Sequence, residues 1–262
     1  MTRSPGRFRL GTGLSPTVYG RRMNEPSHIR SSRLFLPFLL VPLVLAPQAL
    51  HGQDGQAYRV LYAASDRYYG LKNFCAHFEH EIEVTLLRQT RSGEGTVCQQ
   101  RPDRFSMRFS DPGGDLVVVD GEFAWTFYPS QDDEQVMRFS AAGAGSGFNF
   151  YENFLDDPRG RFEAVYEGRE PVSEGLSHKI ALKPRETEGL RSAGFRSAVV
   201  WFDVDDYLIT AVDIHETNES IRRLRFTDIR VDIEIPAEVF RFVPPEGARV
   251  MTPREGERVN PG

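Results

Sequence analysis

His77 and His80 stand three positions apart, a spacing at which two imidazoles could share a metal, with Glu79, Glu81 and Glu83 interleaved. The surrounding run FCAHFEHEIEVTLL alternates with period two, however. On a strand the two imidazoles point to opposite faces, and the glutamates share a solvated face with His77. Asp203, Asp205 and Asp206 offer oxygens of the kind calcium takes, but they fall between two strand-like runs, where a turn accounts for them. GEGTV at 93–97 has no helix after it to cradle a phosphate. Ser146, in GAGSG, does not meet the G-x-S-x-G pattern, and no strand leads into a helix there. No nucleophile, base and orienter come together. The expectation is a protein that is not an enzyme, with no metal and no cofactor.

The elements that would position these residues are mostly strands. QAYRVLYAASDRYYGL at 56–71 places Tyr58, Leu61, Tyr62, Ser65, Tyr69 and Leu71 near one side at helical spacing. The period then changes to two. FCAHFEHEIEVTLL reads as a strand, RQTRSGEG as its turn, and TVCQQRPDRFSMRFS as the return. DPGG, DG and PSQDD separate DLVVVD, EFAWTFY and EQVMRFS, continuing an antiparallel meander. After the connector AAGAGSG and a short helix in FNFYENFLDD, five more strand patterns follow, the last being SIRRLRFTDIRV. IPAEVFRFVPPEGARVM closes the series with a helical turn and a short extended piece.

With 40% apolar and 26% charged residues and a net charge of −5, the chain has a globular composition. No basic stripe carries stacking aromatics, so nucleic acid is not an expected partner. Residues 3–33 hold Arg3, Arg7, Arg9, Arg21, Arg22, Arg30 and Arg33 against one acid, Glu25, and an apolar run from Leu34 to Ala46 follows. That is a secretory signal pattern, too short for an ordinary membrane span. The expected organisation is a leader over 1–52, one domain over 53–252 and a flexible tail over 253–262. Export allows Cys75 and Cys98 to bridge. Pairing about a turn at 91–95 does not set them opposite each other, so two separate thiols remain an alternative.

Roughly ten strands with two or three short helices suggest a mainly β fold with α: a strongly curved antiparallel sheet, an incomplete barrel, covered by short helices. Candidates for its inner face are Phe74, Phe78, Ile82, Phe105, Met107, Phe109, Val117, Val119, Trp125, Phe127 and Trp201. Each is worth roughly 1.5–3 kcal/mol when buried. They either fill the interior themselves or line a cavity for an apolar ligand.

From about 56 to 252 the chain resembles the periplasmic lipoprotein carrier (LolA-like) family. The segments that carry the likeness are NFCAHFEHEIE, GEGTVCQQRPDRFSMRFSDP, LVVVDGEFAWTFYPSQDDEQV, LKP, WFDVDDYLITAVDIHE and FRFVPPEGARV, in order and spacing. The resemblance implies an incomplete barrel under a helical lid and a soluble, monomeric periplasmic carrier. It also implies acylated lipoproteins as cargo, an inner-membrane release transporter upstream and an outer-membrane receptor downstream. Arg101, in RPDRF, matches the arginine that holds the family's lid closed, and the inward positions near Phe74, Phe78, Phe105 and Trp125 would meet acyl chains. Cys98 and His80 stand where an aromatic residue and a glutamine are usual. Related folds carry other envelope lipids or sense envelope stress through protein contacts, which leaves the cargo open.

Overall fold

A computed structural model of the protein describes residues 50–141, 150–173, 175–185 and 194–252. The basic leader with its apolar run, the connector with Ser146 and the tail 253–262 lie outside the described residues. The elements are α1 (Leu50–Gly70), β1 (Asn73–Val84), a 3-10 turn (Thr85–Leu87), β2 (Gln89–Gln100), β3 (Arg104–Asp111), β4 (Leu116–Asp120), β5 (Phe123–Phe127) and β6 (Gln135–Ser140). Two short helices, Phe150–Leu155 and Pro158–Arg161, precede β7 (Phe162–Val172), β8 (Gly175–Pro184), β9 (Phe195–Asp203), β10 (Ile209–Glu216) and β11 (Ile221–Val231). A 3-10 turn (Ala237–Phe240) and β12 (Arg249–Met251) end the series.

All twelve strands form one sheet, ordered β12-β6-β5-β4-β3-β2-β1-β11-β10-β9-β8-β7. This corrects the expectation of a strongly curved, incomplete barrel. The order is linear, β12 and β7 are edges that pair with nothing beyond among the described residues, and β12 runs parallel to β6 in an otherwise antiparallel sheet. The sheet is mixed and open. Its apolar face is buried by α1 packing across it, so closure of the sheet on itself is not needed to exclude water.

The β1–β2 hairpin departs from its sequence reading in an informative way. The turn is Thr85–Leu87, with Arg88 in the left-handed region at φ 51°, and RQTRSGEG belongs to β2 rather than to a turn. With the hairpin centred there, Cys75 pairs directly with Cys98 and the two form a disulfide, with a Cα–Cα distance of 4.1 Å. Gly93 and Gly95 lie within β2. A Cβ at Gly95 would sit 2.0 Å from the Arg108 carbonyl oxygen, and one at Gly93 2.9 Å from the Phe109 ring. Glycine therefore lets β3 and Phe109 close over this strand beside a bulge at Glu94/Gly95.

Alternation divides the large side chains between two faces. The α1 face carries Phe78, Val97, Phe105, Val117, Ile180, Val200, Phe202, Val212 and Leu224 in one core with Ala57, Tyr58, Val60, Leu61, Ala64 and Tyr68 of the helix. On the second face, Leu116, Val118, Trp125, Phe127 and Val136 pack with Phe242, and Phe240 covers the disulfide. The segment from Ile233 to Ala248 that makes this cover is held by Arg108, whose Nη2 donates to the Arg241 carbonyl at 2.8 Å.

The disulfide closes a loop of 23 positions around the hairpin that borders both halves of the sheet. Replacing Cys75 and Cys98 together with serine lowers the unfolding free energy by about 2–4 kcal/mol. Urea titration reads this as a lower midpoint with a raised m-value, and a curve unchanged in both would show that the bridge does not constrain the unfolded chain.

Candidate functional site

The candidate site is the α1 face near β1–β4. The helix is tied to the sheet by tyrosine hydroxyls, to the short helix Phe150–Leu155 by a serine hydroxyl, and to the β2–β3 turn by its own terminal carbonyl. Tyr58 Oη donates to the Phe162 carbonyl at 2.8 Å, Ser65 Oγ donates to the Leu155 carbonyl at 3.0 Å, and Tyr68 Oη accepts from the Ile209 amide at 3.1 Å. Burial pushes the Tyr68 phenol up, which keeps it neutral. At the C-terminal end of the helix, Arg101 Nη1 donates to the Tyr69 carbonyl at 2.5 Å, and its guanidinium lies 5.7 Å from the centre of the Tyr69 ring. A cation on the last carbonyls suits the negative end of the helix dipole. The adjoining start of β1 is fixed by Asn73, which exchanges side-chain hydrogen bonds with the backbone of Ile233.

Of the inner-face candidates, Phe78, Phe105 and Val117 are in the helix-covered core, and Phe74, Met107, Phe109 and Val119 pack against it while keeping part of their surface. Ile82 is buried further along β1 on the same alternation. Trp125, Phe127 and Trp201 are not with them. Val118 pairs with Trp125 and Leu116 with Phe127, which assigns both aromatics to the second face. Asp120 fixes this hairpin. Burial alone would raise its pKa, but hydrogen bonds from the Phe123 amide, Trp125 Nε1 and the Glu122 amide outweigh it and hold the carboxyl below its ordinary range. Trp201 is also on the second face, where its Nε1 donates to Glu170 at 2.6 Å and Lys179 and Arg225 stand over its ring.

The second face around Trp201 is an ion-pair lattice. Arg223 pairs with Glu81 and Glu83, Arg225 with Asp213, and Lys179 with Glu167 and Glu170. Glu81 and Glu83 are thus structural partners of β11. Asp203 Oδ1 accepts from the amides of Asp205 and Asp206, so that acidic run is a turn. Among the described residues no three His, Cys, Asp or Glu side chains group as metal ligands. Clefts of about 310 and 400 Å³ are lined mainly by charged and polar residues such as Arg196, Glu216, Glu81 and Arg223.

His80 is a polar residue on the α1 face. Its ring lies 5.9 Å from that of Phe109, and its Nε2 is buried without a protein hydrogen-bond partner. Burial, helped by the Arg222 charge, pushes its pKa down to about 4 from the ordinary 6.5. The sequence pattern placed His80 on the apolar face, but nothing in it distinguished a solvated imidazole from one packed beside Phe109 with its Nε2 buried.

The arrangement is an apolar sheet face under a tethered helix, backed by an ion-pair lattice. The family profile "Outer membrane lipoprotein carrier protein LolA" matches residues 70–243. The chain is 30% identical over 173 residues to an outer-membrane lipoprotein carrier protein of Alkalilimnicola ehrlichii, covering 66% of this chain and 72% of that one. It is 25% identical over 222 residues to one of Halorhodospira halophila, covering 84% and 97%. Among solved structures it is similar to a conserved protein of Thermus thermophilus, at 12% identity and TM-score 0.48, covering 76% of this chain and 99% of that one. The chain belongs to the LolA family of outer-membrane lipoprotein carriers, a non-catalytic family of the periplasm.

The His80 shift fixes a pH dependence. Between pH 6.5 and about 4 the unfolded chain binds a proton at His80 that the folded chain refuses. Stability from this group is therefore complete above pH 6.5, falls as the pH drops through that window, and levels off below it, for a total of about 3 kcal/mol. His80→Leu removes this component. As the pH falls from 6.5 toward 4 the wild-type urea midpoint should drop relative to that of His80→Leu, and midpoints that run parallel would refute the assignment.

Proposed function

We propose that the α1 face takes up the acyl chains of lipoproteins, and that the protein carries them from an inner-membrane release transporter to an outer-membrane receptor. The observation that carries this reading is the row of partly covered apolar side chains, Phe74, Met107, Phe109 and Val119, continuous with the core beneath the helix. In the state described here the helix itself occupies that core, so uptake is an exchange in which α1 gives up contacts and acyl chains replace them.

The magnitudes support exchange in both directions. About ten buried methylenes are worth about 8 kcal/mol. Exposing Val60, Leu61 and Tyr68 costs a comparable sum at roughly 1.5–3 kcal/mol each. A near-balance of this kind allows cargo to be taken and then surrendered. Arg101 acts on the covered side of the balance, since its hydrogen bond to Tyr69 exists only while the helix end is seated.

The direct test is mass spectrometry of protein purified gently from the periplasm. Acylated N-terminal peptides should co-purify, and their consistent absence alongside another bound lipid would redirect the cargo assignment. Arg101→Leu, which removes one solvent-exposed charged hydrogen bond, should slow cargo release about 2–10-fold in a transfer assay. Phe109→Glu should weaken acyl-peptide binding at least about tenfold, whereas Trp125→Ala on the second face should leave that affinity unchanged. Equal losses from both would place the cargo elsewhere.

A further inference from the structure

Leu86 and Leu87 are the outliers of the molecular surface at the turn between β1 and β2. They retain 74% and 63% of their exposure, side by side in a 3-10 turn. Neither packs on the core, and a hairpin turn needs neither: polar residues would serve the conformation at no cost in buried area. Arg88 and Arg91 flank them, both exposed, and among the described residues neither makes an ion pair. The acids nearby are engaged, Glu83 with Arg223 and Glu219 with Arg196. The turn is also braced, because Thr85 Oγ1 donates to the Glu219 carbonyl at 2.7 Å and the Arg88 amide to the Thr85 carbonyl at 3.3 Å. The result is a fixed, convex tip with two apolar side chains and two uncompensated cations.

We propose that this tip docks the protein on an anionic lipid bilayer, with Leu86 and Leu87 entering the interfacial region and Arg88 and Arg91 meeting phospholipid headgroups. A protein partner fits the feature less well. Protein interfaces of lasting affinity bury broad complementary patches, whereas a two-residue convex tip buries little against a flat or grooved protein. A bilayer asks only for apolar side chains that can penetrate and cations at the headgroup level.

The placement gives docking a use, which rests on the acyl-carrier reading above. β1 spans 12 residues, about 40 Å, from the Arg101–Tyr69 junction to the tip. Phe74, Phe78 and Ile82 mark the α1 face along that strand toward the turn. A tip seated in lipid therefore brings one end of the apolar face to the membrane surface, and an acyl chain would meet hydrocarbon rather than water at the moment of transfer.

The experiment is flotation of the periplasm-purified protein with vesicles of phosphatidylethanolamine, with and without phosphatidylglycerol. The protein should float with the anionic vesicles and detach as salt is raised. Leu86→Ser/Leu87→Ser should reduce the bound fraction about tenfold or more, and Arg88→Gln/Arg91→Gln should abolish the preference for phosphatidylglycerol. All variants should keep the wild-type urea midpoint, since the changed side chains are exposed. The proposal is overturned if wild-type protein does not float, if the leucine variant floats equally, or if flotation requires a membrane protein in the vesicles. Co-purified acylated peptide is the separate readout of the carrier reading: its retention by the leucine variant shows that docking and cargo binding are distinct, and its absence from a wild-type protein that still floats would remove the carrier reading alone.

Discussion

The register of the β1–β2 hairpin is the constraint on which the rest of the structure depends. β1 lies between β2 and β11, so both halves of the sheet take their phase from it. Cys75 opposite Cys98 sets that phase covalently, and Asn73 and Asp232 secure the same end by hydrogen bonds to Ile233 and Lys72. A slip of one residue would exchange Phe78 with Glu79 and Ala76 with His77, putting charge beneath α1 and phenylalanine among the arginines of β11. With the register fixed, β1 gives one face to the helix and the other to Arg223 and the C-terminal cover.

The two faces solve different problems. On the second face Lys179, Arg223 and Arg225 are paired with carboxylates and Trp125 and Phe127 pack with Phe242, so it supports the sheet. The first face carries an apolar surface that only a separate element covers. That element is held at identifiable points, Tyr58, Tyr68 and the Tyr69 carbonyl bonded to Arg101, with Ser65 bonded to the short helix beside it, in addition to its apolar contacts.

Much of this arrangement was legible in the sequence, and the failures have physical causes. β1 and β3 are apolar on one side only, so their alternation identified Phe74, Phe78, Phe105, Met107 and Phe109 as one face. β5 and β9 are buried on both sides, so apolarity no longer reports direction. Trp125, Phe127 and Trp201 were grouped with the first face for that reason, although a short β4–β5 hairpin puts Trp125 beside Val118 rather than Val117. The disulfide was left open because glycines at 93 and 95 imitate a turn. Their actual role is the close approach of Phe109 and the Arg108 carbonyl, and exposed leucines made the true turn look like strand. The barrel expectation failed because strand count does not reveal whether the ends of a sheet meet.

An open sheet must protect two edges, and how it does so bears on which part can move. β7 carries a bulge between Tyr166 and Gly168, a proline at 171 and a row of charged residues including Glu163, Glu167 and Arg169. β12 is a three-residue parallel strand whose neighbour, the Ala248 turn, is tied to the rest by the Arg249 amide bonded to the Glu134 carbonyl at 2.7 Å. Neither edge offers the long flat ladder that strand addition requires. Opening the apolar face by separating strands would sacrifice backbone hydrogen bonds with no replacement in an apolar ligand. Moving α1 preserves every strand pair and replaces one apolar surface with another, which makes the helix, rather than the sheet, the element on which cargo exchange would act.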